Sequence, residues 1–129
     1  MKTCIESDRL PRPVGPYSQA VCHNGLVYLS GQISVDPKTG AIEKKDVGEQ
    51  TRRVLENMKM LLEDSGSSLD RVLKCTVFLS SASAFDSFNA VYEEYFTDKA
   101  PARTTVVAGD IFAELDVEMD AIAYVDGTE

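Results

Sequence analysis

The sequence predicts a single α+β domain, covering residues 1–129, in which two helices pack on one face of a sheet. Short apolar runs bounded by turn residues predict strands, and two amphipathic segments have helical spacing. The predicted order is ββαβαββ. With 129 residues and 43% hydrophobic content, the chain has the size of one core. This order favours one sheet layer and one helix layer over a doubly wound nucleotide fold.

The first two predicted strands, residues 17–22 and 26–30, form a hairpin. His23-Asn24-Gly25 lies between them, and an Asn-Gly pair readily adopts the positive φ that a tight hairpin turn requires. A second turn is predicted at residues 36–40, where a proline and a glycine suit a reversal of the chain.

Two helices follow, each with a recognisable start. From Val47 the apolar residues recur at helical spacing, with Asp46 placed as the N-cap, Glu49 as its partner and Gly66 as the stop. A second helix is predicted to begin at Ser83-Ala84-Phe85-Asp86 through a capping box. Its aromatic stripe consists of Phe85, Phe88, Tyr92 and Tyr95.

The remaining three strands are predicted at residues 72–79, 102–107 and 117–125, the last two separated by an irregular segment. Residues 72–79 are apolar on both faces, which predicts a central strand buried on each side or at a subunit contact.

Composition excludes several classes of function. Thirteen basic residues, scattered along the chain, against twenty-one acidic ones give a net charge of −8, so no nucleic-acid partner is expected. Three cysteines without a C-x-x-C pair, and a single histidine, predict ordinary reduced thiols and no metal site. No targeting peptide and no apolar run of membrane-spanning length is visible, so we expect a cytoplasmic protein without a membrane partner.

The residues best suited to catalysis or ligand binding lie on the last two strands. The only histidine is His23, so a Ser–His or Cys–His nucleophile pair is not expected. Alternation places Glu118 and Asp120 on one face of an otherwise apolar strand, where they serve either catalysis or solubility. Arg103 follows Pro101 and either binds a substrate carboxylate bidentately or forms a structural ion pair with Glu118 or Asp120.

Two further positions have more than one interpretation. Gly31, after Ser30, permits close approach of a ligand, a bulge, or simply the end of a strand. Tyr17 is either a core aromatic or an amphipathic hydroxyl at an interface.

Four motifs in order resemble the RidA/YjgF family over nearly the whole chain: Gly15-Pro16-Tyr17-Ser18-Gln19-Ala20, Ser30-Gly31-Gln32, Pro101-Ala102-Arg103-Thr104-Thr105 and Val117-Glu118-Met119-Asp120-Ala121-Ile122-Ala123. The resemblance implies a chorismate-mutase-like fold and a homotrimer with sites in the clefts between subunits. It also implies hydrolysis of 2-imino and enamine acids, such as 2-iminobutanoate and 2-iminopropanoate, released by pyridoxal-phosphate dehydratases. No cofactor is implied.

The same resemblance assigns roles. Arg103 would hold the substrate carboxylate, and Glu118 would orient and deprotonate the attacking water. Tyr17 would close the cleft from a neighbouring subunit, with Asn89 near it. Gly31 and Thr105 would offer backbone groups to the ligand, and Ser30 belongs to the same substrate-binding set.

Two departures from the family pattern leave the preferred imine open: Asp120 stands where glutamate is common, and Ile111-Phe112 stands where Leu-Pro is common. Three alternatives also stay open. They are a metabolite-binding or chaperone-like trimer, an endoribonuclease or translation inhibitor, which the net charge disfavours, and a chorismate mutase, which rests on fold analogy alone.

Overall fold

Residues 1–125, which the computed structural model describes, form one mixed six-stranded sheet and two α-helices. Along the sheet the strands lie in the order β1-β2-β3-β6-β4-β5. β4 and β5 pair in parallel, whereas the other neighbouring strands are antiparallel. The elements are β1 (Thr3–Ile5), β2 (Ala20–His23), β3 (Leu26–Gln32), α1 (Val47–Asp64), β4 (Val72–Leu79), α2 (Phe85–Tyr95), β5 (Ala102–Val107) and β6 (Val117–Tyr124).

The core lies between the two helices and one face of this sheet. Every second residue of β6 is buried, which confirms the predicted alternation and leaves Glu118 and Asp120 on the opposite face. The stripe of α1 that faces the sheet is fully buried, as its apolar spacing predicts. The main buried contributors are Val54, Leu55, Met58, Leu61, Leu62, Cys75, Val77, Leu79, Phe88, Val117, Met119, Ala121 and Ala123.

Several local signals are confirmed. Asn24 and Gly25 adopt φ values of 50° and 78° in the turn between β2 and β3. The carboxylate Oδ1 of Asp46 accepts a hydrogen bond of 2.8 Å from the backbone N of Glu49 at the start of α1. Gly66 follows the end of α1 with a φ of 86°, a conformation that glycine adopts without strain.

Other predicted boundaries are wrong. β2 begins at Ala20, so residues 17–19 precede the strand, and β3 continues to Gln32. The edge strand β1 was not predicted, because three residues are too short to show a period. The order of elements is therefore βββαβαββ. The last strand ends at Tyr124, and residues 126–129 of the predicted domain lie outside the described residues.

The predicted capping box of the second helix is also wrong. The N-cap of α2 is Ala84, which makes no side-chain cap, and a 3-10 turn at Ala82–Ala84 leads into the helix. The hydroxyl of Ser83 instead pairs with the hydroxyl of Ser81 at 2.8 Å. The 3-10 turn moves the start of the helix beyond the serine that the sequence pattern selects.

An ion pair holds the N-terminal segment against the end of α1. Nη2 of Arg9 lies 2.7 Å from Oδ1 of Asp64, and Nε of Arg9 lies 3.1 Å from Oδ2. The hydrogen bond from Arg9 lowers the pKa of Asp64, although partial burial opposes the change. We call this contact the N-terminal ion pair.

Candidate active site

The predicted site residues form two groups in the folded chain. Tyr17, Ser30, Gly31 and Glu118 surround one pocket, which we call the glutamate pocket. Arg103 and Thr105 lie on the edge strand β5 and Asn89 lies on α2, and we call these three residues the arginine cluster.

A β-bulge shapes the glutamate pocket. Leu29 pairs with Ala121 and Gln32 pairs with Met119, so Ser30 and Gly31 of β3 lie opposite Asp120 alone. Of the roles considered for Gly31, the bulge is confirmed, whereas the end of a strand is wrong because β3 continues beyond it.

Gly31 allows the Glu118 carboxylate to lie against the backbone of β3. A Cβ atom at residue 31 would lie 3.0 Å from the carboxyl carbon of Glu118 and 3.3 Å from its Cγ, and it would overlap Oε2. Any side chain at this position would displace the carboxylate. The glycine is therefore required for the observed position of Glu118.

The environment of Glu118 makes its carboxylate a better proton acceptor than an exposed one. Burial raises the pKa of this half-buried group, and the neighbouring Asp120 carboxylate raises it further. Asp120 itself accepts a hydrogen bond of 3.2 Å from the backbone N of Thr76. A general base whose pKa lies nearer to neutral pH abstracts protons more effectively.

Ser30 holds the loop that carries Tyr17. The Ser30 hydroxyl donates a hydrogen bond of 2.5 Å to the carbonyl of Ser18, and the Ser30 backbone N donates one of 3.0 Å to the carbonyl of Gln19. Tyr17 is 54% exposed and is therefore not a core aromatic, the first of its two predicted roles. Its ring lines the pocket from the outside.

The glutamate pocket has a volume of about 450 Å³. Phe112, at one of the two departures from the family pattern, is among the lining residues, whereas Val14 and Ile33 were not anticipated. Both are ordinary apolar residues in the sequence, so nothing in their type could have identified them. The lining consists of Val14, Tyr17, Ser30, Gly31, Ile33, Phe112 and Glu118.

Aromatic rings of α2 surround the guanidinium of Arg103. Its Cζ lies 4.7 Å from the ring centroid of Tyr92, 5.4 Å from that of Phe88 and 5.8 Å from that of Phe85. Such cation–π contacts orient a guanidinium without neutralising its charge. Three residues of the predicted aromatic stripe therefore face Arg103, whereas the hydroxyl of Tyr95 donates to Glu56 at 2.7 Å.

Thr105 lies on the same strand as this arginine, and Asn89 lies on the helix that carries its aromatic contacts. Thr105 lies two residues along β5 from Arg103, so both side chains project from the same face of the sheet. Asn89 is half-buried on α2, one turn away from both Phe85 and Tyr92.

Arg103 and Glu118 lie on opposite faces of the sheet. Arg103 pairs with Cys75 of β4, whereas Glu118 pairs with Phe78, three residues further along the same strand. Paired residues share a face, and alternation puts residues three apart on opposite faces. The alternative of a structural ion pair between Arg103 and Glu118 or Asp120 is therefore wrong.

Cys75 has the environment of an unreactive thiol. Cys75 is buried beneath α2, and burial raises its pKa to about 11, which keeps the thiol protonated at neutral pH. Within residues 1–125 no three His, Cys, Asp or Glu side chains converge as metal ligands. In the same part of the chain no helix is both long and apolar enough to cross a membrane.

Comparison with known proteins places nearly the whole chain in one family. The sequence profile of the family described as Endoribonuclease L-PSP matches residues 7–125. A RutC family protein of Pyrococcus abyssi is 45% identical over 95% of this chain and 97% of its own length. A 2-iminobutanoate/2-iminopropanoate deaminase of Salmonella typhimurium is 39% identical over 95% of this chain and 98% of its own length.

Solved structures agree with this relation. RidA from the Antarctic bacterium Psychrobacter sp. PAMC 21119 superimposes with a TM-score of 0.90 at 35% identity, over 95% of this chain and 99% of that one. E. coli TdcF with bound serine superimposes with a TM-score of 0.88 at 36% identity, over 95% and 98% of the two chains. The chain belongs to the RidA/YjgF family of reactive-intermediate deaminases and related RutC and L-PSP proteins.

Proposed function

We propose that this protein is a cytoplasmic 2-iminobutanoate/2-iminopropanoate deaminase, which hydrolyses reactive 2-imino acids to 2-keto acids and ammonia without a cofactor. The observation that carries the proposal is the Glu118 carboxylate, which lies over Gly31 in a pocket and has a raised pKa. The deaminase name of the Salmonella typhimurium relative supports the same reaction.

In the proposed mechanism Glu118 removes a proton from a water molecule, and the oxygen of that water forms a bond to the imine carbon. The nitrogen of the resulting carbinolamine takes the proton from Glu118, which restores the carboxylate. The carbon–nitrogen bond then breaks as the hydroxyl oxygen forms the carbonyl double bond, ammonia leaves, and the hydroxyl proton passes to the Glu118 carboxylate and from there to solvent. A protonated imine is already electrophilic, so alignment and a base supply most of the catalysis.

Arg103 holds the substrate carboxylate in this proposal. Its guanidinium rests on the aromatic rings of α2, which leaves the N–H groups of its fork available for two parallel hydrogen bonds. The serine bound in the TdcF structure is also an α-carboxylate ligand. Thr105 and Asn89 complete the half of the site that binds the substrate carboxylate. The half that contains the base Glu118 is completed by Tyr17, Ser30 and Gly31.

Because the two groups lie on opposite faces of one chain, the proposed site requires two copies. Arg103 of one subunit would meet Glu118 of its neighbour in a homotrimer. The sheet face opposite the helices also favours assembly, since apolar side chains on it remain partly exposed. Among them Tyr28, Val106 and Tyr124 are 43%, 39% and 44% exposed.

The experiment couples a threonine dehydratase to the purified protein and follows trapping of the released imine by semicarbazide. The wild type should suppress trapping. Arg103→Ala should reduce kcat/KM. The expected loss of transition-state stabilisation is about 2 to 5 kcal/mol, as for loss of a desolvated charge partner. A nearly normal kcat/KM in this variant would contradict the role of Arg103 in holding the substrate carboxylate.

A mixing experiment tests whether the site is shared. Arg103→Ala and Glu118→Ala chains, each strongly impaired alone, are unfolded together and refolded at equal concentrations. About a quarter of the sites should regain activity, because a random mixture joins an intact Arg103 to an intact Glu118 at one interface in four. No recovery in a correctly assembled mixture would contradict a site built from two subunits, and a monomer in sedimentation would contradict the trimer.

The same variants separate the deaminase from the other functions. A metabolite-binding or chaperone-like trimer would show no turnover that depends on Glu118, even though ligand binding remained. RNA degradation that Arg103→Ala abolished would favour the endoribonuclease, in accordance with the description of the family profile and against the net charge of −8.

A further inference from the structure

The glutamate pocket is continuous with a second cavity of about 320 Å³. Six residues line both spaces: Val14, Tyr17, Ser30, Gly31, Ile33 and Phe112. The second cavity extends away from Glu118 towards α1, where Leu10, Leu61 and Ile42 form its walls. We call this second cavity the apolar chamber.

The apolar chamber presents carbon rather than polar groups to an occupant. Leu61 is fully buried and Leu10 is 7% exposed, so the inner end is closed by aliphatic side chains. The two glutamine side chains of the lining are already engaged. Nε2 of Gln19 donates to the carbonyl of Pro11 at 2.9 Å and its Oε1 accepts from the backbone N of Ser7, while Nε2 of Gln32 donates to the carbonyl of Ser30 at 3.0 Å. Arg12, the charged residue of the lining, is exposed.

Phe112 stands where the two cavities meet. Its ring is 63% exposed, and the two residues after it, Ala113 and Glu114, have φ values of 58° and 59°. The exposed ring lines both cavities and does not pack in the core. Phe112 is therefore placed to contact any group that passes from the glutamate pocket into the chamber.

We propose that the apolar chamber binds the substrate side chain, so that this enzyme prefers 2-imino acids with bulky apolar side chains, of leucine or methionine size. The inference rests on the proposed deaminase function and adds its substrate class. A methyl or ethyl side chain would leave the chamber unfilled, whereas each additional methylene group that it buries improves binding. Ile42 and Phe112 are the specificity-determining residues.

The test uses an L-amino-acid oxidase to generate imines from 2-aminobutyrate, leucine, methionine and glutamate, with semicarbazide trapping as the readout. We expect kcat/KM to increase about fourfold per buried methylene, so the leucine-derived imine should exceed 2-iminobutanoate roughly 15-fold. The glutamate-derived imine should be a poorer substrate than the leucine-derived imine, because burial of its second carboxylate among the aliphatic side chains of the inner end costs free energy.

Substitutions in the chamber test whether it causes the preference for bulky apolar side chains. Ile42→Trp fills the space from a partly exposed position and should remove the preference while turnover of 2-iminobutanoate continues. Leu73→Trp is the matched control and should retain the preference, because Leu73 is an apolar residue outside the chamber that is 47% exposed, against 40% for Ile42. Phe112→Ala should reduce the advantage of the leucine-derived imine.

The outcomes distinguish the two proposals. Equal or better turnover of 2-iminobutanoate, preference for the glutamate-derived imine, or unchanged preference in Ile42→Trp would each overturn the apolar specificity and leave the deaminase function intact. Absence of turnover with all four imines would overturn both.

Discussion

Gly31→Ala should impair catalysis while leaving the fold almost unchanged. Gly31 does not have a positive φ, so alanine is compatible with the backbone at this position. The added methyl group would overlap Oε2 of Glu118 and lie 3.0 Å from its carboxyl carbon, whereas ordinary contacts of a Cβ atom begin at 3.4 Å. The Glu118 side chain is flexible and half-buried, and it would move rather than unfold the strand.

To relieve this overlap, the carboxylate must move by about 1 Å. A displacement of that size in a catalytic group costs roughly 100-fold in rate. We therefore expect kcat for imine hydrolysis to fall about 100-fold, equivalent to about 2.7 kcal/mol of activation free energy. The midpoint of urea unfolding should change little.

The assay compares Gly31→Ala in the wild-type and Glu118→Ala backgrounds by semicarbazide trapping. In the second background there is no carboxylate to displace, so the additional substitution should have little effect. Gly48→Ala is the matched glycine control, because a Cβ there meets its nearest neighbours at 3.6 Å in a helix. Full activity of Gly31→Ala, or equal losses in both backgrounds, would refute the reasoning.

Three other substitutions test the surrounding electrostatics. Asp120→Asn removes one of the two causes that raise the pKa of Glu118, so the acid limb of the kcat/KM profile should move to lower pH, and an unchanged limb would contradict this. Tyr92→Leu should raise KM about 2- to 30-fold through loss of the cation–π support of Arg103, whereas Tyr92→Phe should stay close to wild type. Asp64→Asn breaks the N-terminal ion pair and should destabilise the protein at neutral pH in urea unfolding. The pKa of Asp64 is lowered in the folded state, so its contribution to the free energy of unfolding is fully present above the unfolded pKa of about 4. This contribution disappears as pH falls through the folded pKa, below which the wild type and Asp64→Asn should become equally stable.

Local patterns in the sequence predicted most of the secondary structure. The alternation along residues 117–124 gave the buried face of β6, and Asp46 marked the start of α1, because both depend on neighbours within a few residues. The start of α2 could not be predicted in this way. Its 3-10 turn replaces the capping contact that Ser83 and Asp86 suggest, and such a turn has no distinct sequence signature.

The candidate site shows the same division. The sequence alone identified Arg103, Glu118 and Gly31 as candidate site residues, since their residue types and spacings restrict the roles that they can have. It left open whether Arg103 and Glu118 pair with each other, and it could not show the bulge opposite Asp120 or the chamber behind the pocket. Those features depend on the register of β6 against β3 and β4, which joins residues far apart in the chain. A shift of one residue in such a register moves a side chain to the other face of the sheet, so tertiary pairing alone decided where the arginine and the glutamate lie.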